Sequence, residues 1–312
     1  MKIGIAGAGA LGSRFGYMLS EAGYDVTLID MWDEHIAAIR ENGLIIDWEG
    51  EERVARLPIF YPHELEGTFD LVCCFTKAMG LDAMLSAIEH TISENTSLLC
   101  LLNGIGHRDT ILKHVPVSNF IIGNTMWTAG LTGPGHAHLI GSGSVSLENV
   151  GEGEAAKARA IEVARLLSDA GLNAQYSADV KYTTYRKAAL NGVVNTMCTL
   201  LECNMASFGA TSSAEPILQQ IVNEFADVAA HEGVELDRDE VMANVRTTFP
   251  ADTIGKHYPS MYQDLVRNNR RTEVDYINGA ISRKGKQYGV PTPFCDLVTL
   301  LVHAKEEIRD AA

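Results

Sequence analysis

Lys187, Asn191 and Asn195 recur at i, i+4 and i+8, a spacing that lines them along one face of a helix. Their neighbours Ala188, Ala189, Leu190, Gly192, Val193, Val194 and Met197 are apolar or small, the composition of a buried helix. An ammonium group and two amides are costly to bury without partners, and a cleft in which the stripe faces a polar ligand would supply them. A solvated stripe on a half-exposed helix is the competing reading. Burial lowers the pKa of such a lysine and a bound carboxylate raises it. Lys187 is thereby suited to give a proton to an alkoxide forming on a carbonyl.

A second group sits at the N-terminus. Ile3 and Ile5 mark a buried strand that runs into Gly7-x-Gly9-x-x-Gly12. Such a turn brings the backbone close to a pyrophosphate and aims a helix N-terminus at it. Gly7 makes the turn, Gly9 leaves room for phosphate, and Gly12 lets the helix approach the strand; Ala10 and Leu11 complete the expected cofactor-binding segment. An amphipathic run follows (Phe15, Met18, Leu19, Ala22), Gly23 stops it, and a strand over 25–29 ends in Asp30. That acid stands at the spacing expected of a carboxylate on the adenosine ribose. The alternative is a glycine-rich turn in some other α/β protein.

Further candidates follow strands. Lys77 succeeds the apolar run 69–76, and Asn103-Gly104 succeeds 98–102, both at carboxyl ends, where open α/β sheets bind ligands; a plain turn explains either equally well. His136 and His138 alternate on a strand-like segment without a third ligand, so no metal is expected. Arg267, Arg270, Arg271, Arg283, Lys284 and Lys286 are interleaved with Glu273 and Asp275 and read as a solvated, ion-paired face.

The elements that must position these groups change character along the chain. In the first half, near-continuous apolar strands alternate with helices (33–42, 81–91, 155–170), and a hairpin is expected over 44–59, which fits a parallel sheet covered on both faces. Strands are also expected over 120–128 and 141–150, with a glycine-rich stretch over 130–143 that carries a Pro134-Gly135 turn. From about residue 179 onward the patterns are helical: 180–203, 214–232, 238–249, 261–289 and 293–312. We therefore expect an α/β dinucleotide-binding domain over 1–175 and an all-α substrate and dimerisation domain over 176–312.

The chain has 312 residues, enough for two cored domains. A net charge of −15 argues against nucleic acid, and an anionic substrate needs a locally positive pocket. The six cysteines show no metal-type pairing, as expected of reduced thiols in a cytoplasmic protein. The first strand begins at residue 2, so no signal peptide is expected, and no apolar run approaches the roughly 20 residues that span a membrane.

Taken together, GAGALG at the N-terminus, FTKAMG around Lys77, LLNGIG around Asn103, PGHAHLIGSG, the Lys187–Asn191–Asn195 helix and PSMYQDL-x5-RRTEVDYINGAISRKGKQYGVPTP make this chain resemble the ketopantoate reductase family along almost its whole length. The resemblance implies a Rossmann-type N-terminal domain, an all-α C-terminal domain of the 6-phosphogluconate dehydrogenase C-terminal type, and an active site in the cleft between them. It implies reduction of a 2-keto acid to the (R)-2-hydroxy acid by a nicotinamide. It makes Lys187 the general acid, gives Asn103, Asn191, Asn195 and Ser260 to the substrate, sets Glu273 near substrate and nicotinamide ribose, with a catalytic part, and sets Lys77 and Asn103 near the cofactor. It is also compatible with a homodimer.

Two departures stand out. The family usually carries a basic residue after the second strand and uses the phosphorylated cofactor; Asp30 would instead accept from a ribose 2′-hydroxyl and repel a 2′-phosphate, so NAD is expected, and no metal. Tyr185 stands where Trp is frequent, and Cys295 where Asn is usual. The chain thus looks most similar to the NAD-dependent D-2-hydroxyacid (D-mandelate) dehydrogenase branch, which acts on branched or aromatic 2-keto acids such as phenylglyoxylate. A 2-dehydropantoate 2-reductase with unusual cofactor choice is the second reading. A nucleotide-binding sensor without turnover is a third, opposed by the joint presence of Lys187, both asparagines, Ser260 and Glu273.

Overall fold

Side chains alternate between two apolar cores along the central strands, as a parallel sheet buried on both faces requires. Ile3, Ile5, Leu28, Leu71, Cys73 and Leu99 enter one core; Ala6, Ile29, Val72, Cys74, Leu98 and Cys100 enter the other. The structure is a computed structural model that describes residues 1–311. It comprises two units, Met1–Leu102 with Arg108–Val180, and Asn103–His107 with the chain from Lys181 onward.

The first unit contains β1 (Lys2–Ala6), α1 (Ala10–Glu21), β2 (Asp25–Ile29), α2 (Asp33–Asn42), β3 (Leu44–Trp48), β4 (Glu51–Ala55), β5 (Ile59–Phe60), β6 (Leu71–Cys74), α3 (Leu81–Ala87), β7 (Ser97–Cys100), α4 (His107–Ile111), β8 (Phe120–Thr125), β9 (Ala129–Gly133), β10 (His136–Leu139), β11 (Val145–Asn149), α5 (Glu154–Asp169) and β12 (Ala174–Tyr176). The main sheet has the order β12-β11-β8-β7-β6-β1-β2-β5. All its pairs are parallel except β8 with β11. This is a Rossmann-type α/β domain.

The unit also holds a second sheet, β4-β3-β10-β9, in which β3 and β10 pair in parallel. The glycine-rich stretch 130–143 is therefore largely strand, with the Pro134-Gly135 turn between β9 and β10. Helix α1 packs against β1 and β2 and also against β9 and β10. Arg14 fastens that second contact. Its guanidinium is fully buried, lies 4.5 Å from the Trp127 ring and 5.7 Å from the Trp48 ring, and donates from Nη2 to Ile140 O at 2.9 Å.

The second unit is helical: α6 (Val180–Leu200), α7 (Met205–Gly209), α8 (Ala214–His231), α9 (Arg238–Arg246), α10 (Ser260–Tyr262), α11 (Asn278–Tyr288) and α12 (Pro293–Ile308). Its core joins Val193, Leu218, Phe225, Val241, Ile281 and Val302. A Cβ at Gly192 would lie 2.7 Å from the Phe225 ring, so glycine there lets α8 approach α6. Buried Glu224 accepts from Phe294 N and Cys295 N at 2.8 and 2.7 Å and so caps α12.

The single helix expected over 261–289 is broken. After α10 the chain makes a π-helical turn over Gln263–Arg267, passes Asn269 at φ 51°, and forms a 3₁₀ turn over Val274–Tyr276 before α11 begins. The stretch 267–271 is entirely polar, so it has no apolar face to hold it helical, and the Thr272 N–H is claimed by Glu306 Oε1 at 2.7 Å. The expected helix over 81–91 likewise stops at Ala87, and a 3₁₀ turn follows over Glu89–Thr91.

Candidate active site

The glycine turn carries the backbone strain that its sequence anticipates. Gly7 has φ 97°, and a Cβ on it would lie 2.6 Å from Thr76 N; one on Gly12 would lie 1.9 Å from Gly7 O. A Cβ on Gly9 would meet nothing within 4 Å, so the turn is open at that residue. Gly9 caps α1 without a side-chain hydrogen bond, leaving the N–H groups of the first turn, which starts with Ala10 and Leu11, to an external acceptor. These features fit a pyrophosphate.

Asp30 follows β2 and binds that turn. Its Oδ2 accepts from Ala8 N at 2.7 Å, and its Oδ1 from Met31 N at 2.7 Å and Trp32 N at 3.0 Å. The Ala8 carbonyl is held as well, by Ser13 Oγ at 2.8 Å and His35 Nε2 at 2.9 Å. His35 Nδ1 accepts from Gly135 N at 2.9 Å. The imidazole must therefore be neutral, with its proton on Nε2. Burial lowers its pKa from 6.5, against the smaller opposing pulls of Asp30 and the Ala8 carbonyl. His35 is fully buried and stacks on half-open Trp32, ring centroids 5.1 Å apart. Lys77 is exposed immediately before a 3₁₀ turn over Ala78–Gly80.

In the second unit, Lys187, Asn191 and Asn195 all lie on α6. Lys187 and Asn191 are part-buried and Asn195 is 6% exposed. Burial lowers the Lys187 pKa from 10.5, and the Glu273 carboxylate pulls it back up. The side-chain amides of Asn191 and Asn195 make no hydrogen bond among the described residues, although Asn195 O accepts from Thr199 Oγ1 at 2.6 Å. A nearly buried amide without an internal partner, on the same helix as a desolvated lysine, suits a ligand.

Asn103 reaches the same group through the backbone. Ile105 N donates to Tyr276 O at 2.7 Å, and a Cβ on Gly104 would lie 2.3 Å from that same oxygen. The loop 103–107 is thus bonded to the 3₁₀ turn that Glu273 caps. Asn103 O meets His107 Nε2 at 2.8 Å, and the His107 ring stacks on Tyr276 with centroids 5.0 Å apart. The structure so bonds the loop that starts at Asn103 to the turn after Glu273, and sets Glu273 near enough to Lys187 to act on its charge. Ser260 stands at the exposed first residue of α10, and its hydroxyl makes no hydrogen bond among the described residues.

Sequence reading missed several supporting residues. Ser13 and His35 hold the Ala8 peptide; no motif marks them, because their partner is a backbone carbonyl. Asn278 is fully buried and donates from Nδ2 to Gly192 O at 3.1 Å, tying α11 to α6 between the two asparagines. Tyr185, in place of Trp, donates to Glu232 Oε2 at 2.6 Å. Cys295 Sγ lies 3.8 Å from Asn278 Nδ2, and burial pushes its thiol pKa up. All six cysteines are free. Among the described residues no group of three His, Cys, Asp or Glu side chains could hold a metal ion, and no helix is long and apolar enough to cross a membrane. His138 Nδ1 is instead bonded to Asp47 Oδ2 at 2.7 Å.

Comparison with known proteins covers both units. Residues 3–152 match the model of the ketopantoate reductase PanE/ApbA family, and residues 179–306 match that of the ketopantoate reductase PanE/ApbA C terminal. The chain is 56% identical over 313 residues to the 2-dehydropantoate 2-reductase of Lactococcus lactis subsp. lactis (strain IL1403), covering 100% of both. It is 45% identical over 311 residues to the enzyme of the same name from Streptococcus pyogenes serotype M1, covering 99% of both. A ternary structure of D-mandelate dehydrogenase with NADH and anilino(oxo)acetate is 56% identical, with a TM-score of 0.93 over 99% of this chain and 100% of that one.

The bonds to Ala8 generate a prediction. Replacing His35 with Ala should raise the Kd for reduced nicotinamide dinucleotide about tenfold, or about 1.4 kcal/mol, read by nicotinamide fluorescence. His35→Gln, which can still donate to the Ala8 carbonyl, should lose less. An unchanged Kd in His35→Ala would show that the loop holds its shape without the imidazole.

Proposed function

Because this chain belongs to the ketopantoate reductase PanE/ApbA family, we propose that it is an NAD-dependent D-2-hydroxyacid dehydrogenase that interconverts branched or aromatic 2-keto acids, phenylglyoxylate among them, with their (R)-2-hydroxy acids. The coarser statement, a 2-keto acid reductase that uses a nicotinamide dinucleotide, follows from the family and from its 56%-identical relatives. The observation that carries the finer one is Asp30, whose carboxylate stands at the end of β2 against the glycine turn. An anion there favours a free ribose 2′-hydroxyl over a 2′-phosphate.

When bound, the reduced nicotinamide supplies the hydride to the keto carbon. Gly7, Gly9, Ala10, Leu11 and Gly12 would hold the pyrophosphate, with Asp30 at the ribose and Lys77, Asn103 and Glu273 near the rest of the cofactor. Lys187 gives its proton to the carbonyl oxygen as charge develops there; its lowered pKa eases that transfer, and the Glu273 carboxylate opposes the lowering by favouring the ammonium form. The amides of Asn103, Asn191 and Asn195 and the Ser260 hydroxyl are available to donate to the substrate carboxylate and carbonyl, so positioning and electrostatics share the work.

The second reading, a 2-dehydropantoate 2-reductase, is favoured by the name of the Lactococcus relative at the same identity. A homodimer belongs to the proposal too, supported by Leu297, Leu300, Leu301 and Ile308 exposed on α12. So does a cytoplasmic location, supported by six unpaired cysteines.

Initial rates with NADH and NADPH, each against phenylglyoxylate, 2-ketoisocaproate and 2-dehydropantoate, separate the two readings. The proposal expects NADH with the first two acids to dominate; fast turnover of 2-dehydropantoate alone would establish the second reading. Replacing Asp30 with Ala should narrow the preference for NADH, and an unchanged ratio would show that Asp30 does not read the ribose. Lys187→Ala should lower kcat by about 10²–10⁴-fold with dinucleotide binding retained. Loss of that binding instead would assign Lys187 a structural role.

A further inference from the structure

The irregular segment that carries Glu273 is fastened to the C-terminal half of α12 and to the residues that follow it. Arg309 Nη2 donates to Val266 O at 2.9 Å, Asn269 Nδ2 to Asp310 O at 3.3 Å, and Arg271 Nε to Ala311 O at 3.4 Å. Nearer the site, Glu306 Oε1 accepts from Thr272 N at 2.7 Å, and Glu306 Oε2 meets His303 Nδ1 at 3.0 Å. The other ring nitrogen, Nε2, meets Asp275 Oδ1 at 3.1 Å. Two linked side chains therefore grip the residue before Glu273 and a residue just after it. Glu306 is 8% exposed, which shields its bonds from water.

We propose that His303 and Glu306 are positioning residues, a two-point clasp that sets the Glu273 carboxylate against Lys187. This rests on the reading of Glu273 as a site residue. The geometry states what the clasp requires. Both imidazole nitrogens face carboxylate oxygens, so both must donate, and only the imidazolium can do so. The groups facing His303 are Glu306 on its own helix and Asp275 on the 3₁₀ turn. Asp275 is in turn held by Arg283 of α11, which donates from Nη2 to Asp275 O at 2.7 Å. Neutral His303 could donate to only one of the two carboxylates, leaving Asp275 to Arg283, whose Nη1 lies 3.8 Å from Oδ1, or Glu306 to Thr272 N, and so would loosen the turn that presents Glu273.

Burial pulls the His303 pKa down, but the bonds to Glu306 and Asp275 outweigh it, so the value is raised from 6.5. The contribution of the clasp is therefore complete below the unfolded value and is lost as pH rises through the higher folded one. A loss of kcat as pH rises belongs to this group as well as to Lys187.

The test is kcat and KM for reduction of phenylglyoxylate or 2-dehydropantoate, whichever the protein turns over, from acid to alkaline pH. The variants are His303→Gln, His303→Lys, Glu306→Gln, Glu273→Gln and the double variant Glu273→Gln/His303→Gln. His303→Gln should lower kcat about tenfold, the scale of a slightly displaced catalytic group, with KM for the dinucleotide unchanged. His303→Lys, which keeps the charge, should restore most of kcat and carry it further into the alkaline range. In the Glu273→Gln background, His303→Gln should cost nothing more. Should His303→Gln fail to fold, Glu306→Gln makes the same comparison. A parental kcat and pH profile in His303→Gln, or an equal loss with and without Glu273, overturns the clasp while leaving Glu273 its role. A parental kcat in Glu273→Gln overturns the role of Glu273, and the clasp with it.

Discussion

A desolvated lysine within the field of the Glu273 carboxylate is the constraint around which the candidate site of the helical unit is arranged. Burial drives Lys187 towards its neutral form and Glu273 draws it back, and the balance holds only while the two stay in register. Much of the surrounding structure serves that register. Gly192 admits Phe225 and so sets α6 against α8, Asn278 pins α11 to the carbonyl of Gly192, and the loop after β7 is bonded to Tyr276 O. The segment that bears Glu273 is not a regular helix, so it borrows its rigidity from α12. A helix there would have satisfied its own backbone; the broken path instead gives Thr272 N–H to Glu306.

The first unit solves a comparable problem around one peptide group. The N–H of Ala8 goes to Asp30, and its carbonyl goes to Ser13 and His35. A turn with Gly7 at positive φ has little intrinsic rigidity, and these bonds provide it without occupying the open side at Gly9. His35 joins three stretches distant in sequence: the turn, α2 and the turn between β9 and β10. Asp30 therefore shapes the glycine turn itself, and under the proposed function the same carboxylate would also meet the ribose.

The parts of this arrangement legible in the sequence are those encoded by local spacing. The strand–glycine–helix start, the alternation of apolar strands and helices, and the i, i+4, i+8 stripe of Lys187, Asn191 and Asn195 are all short-range patterns, and the elements stand where those patterns put them. What escaped depends on distant pairing. The parallel pairing of β3 with β10 joins residues 45–48 to 136–139, and a glycine-rich stretch conceals it. The break after α10 was hidden because 261–289 contains apolar residues at helical intervals on either side of a polar run; that run has no apolar face of its own, and the Thr272 N–H that follows it is claimed by a distant carboxylate on α12. Much of the support for Ala8 and for the segment around Glu273 comes from side-chain bonds spanning tens of residues, which leave no motif.

The most direct test of the Lys187–Glu273 balance is the pKa of Lys187 itself, read by NMR titration of ¹³C-methylated lysines with the resonance assigned through Lys187→Arg. The expected midpoint lies below the ordinary lysine value of 10.5 and falls further when Glu273 is replaced by Gln, because the carboxylate is what raises it. A midpoint at or above the ordinary value, or one that does not move in Glu273→Gln, would contradict that balance.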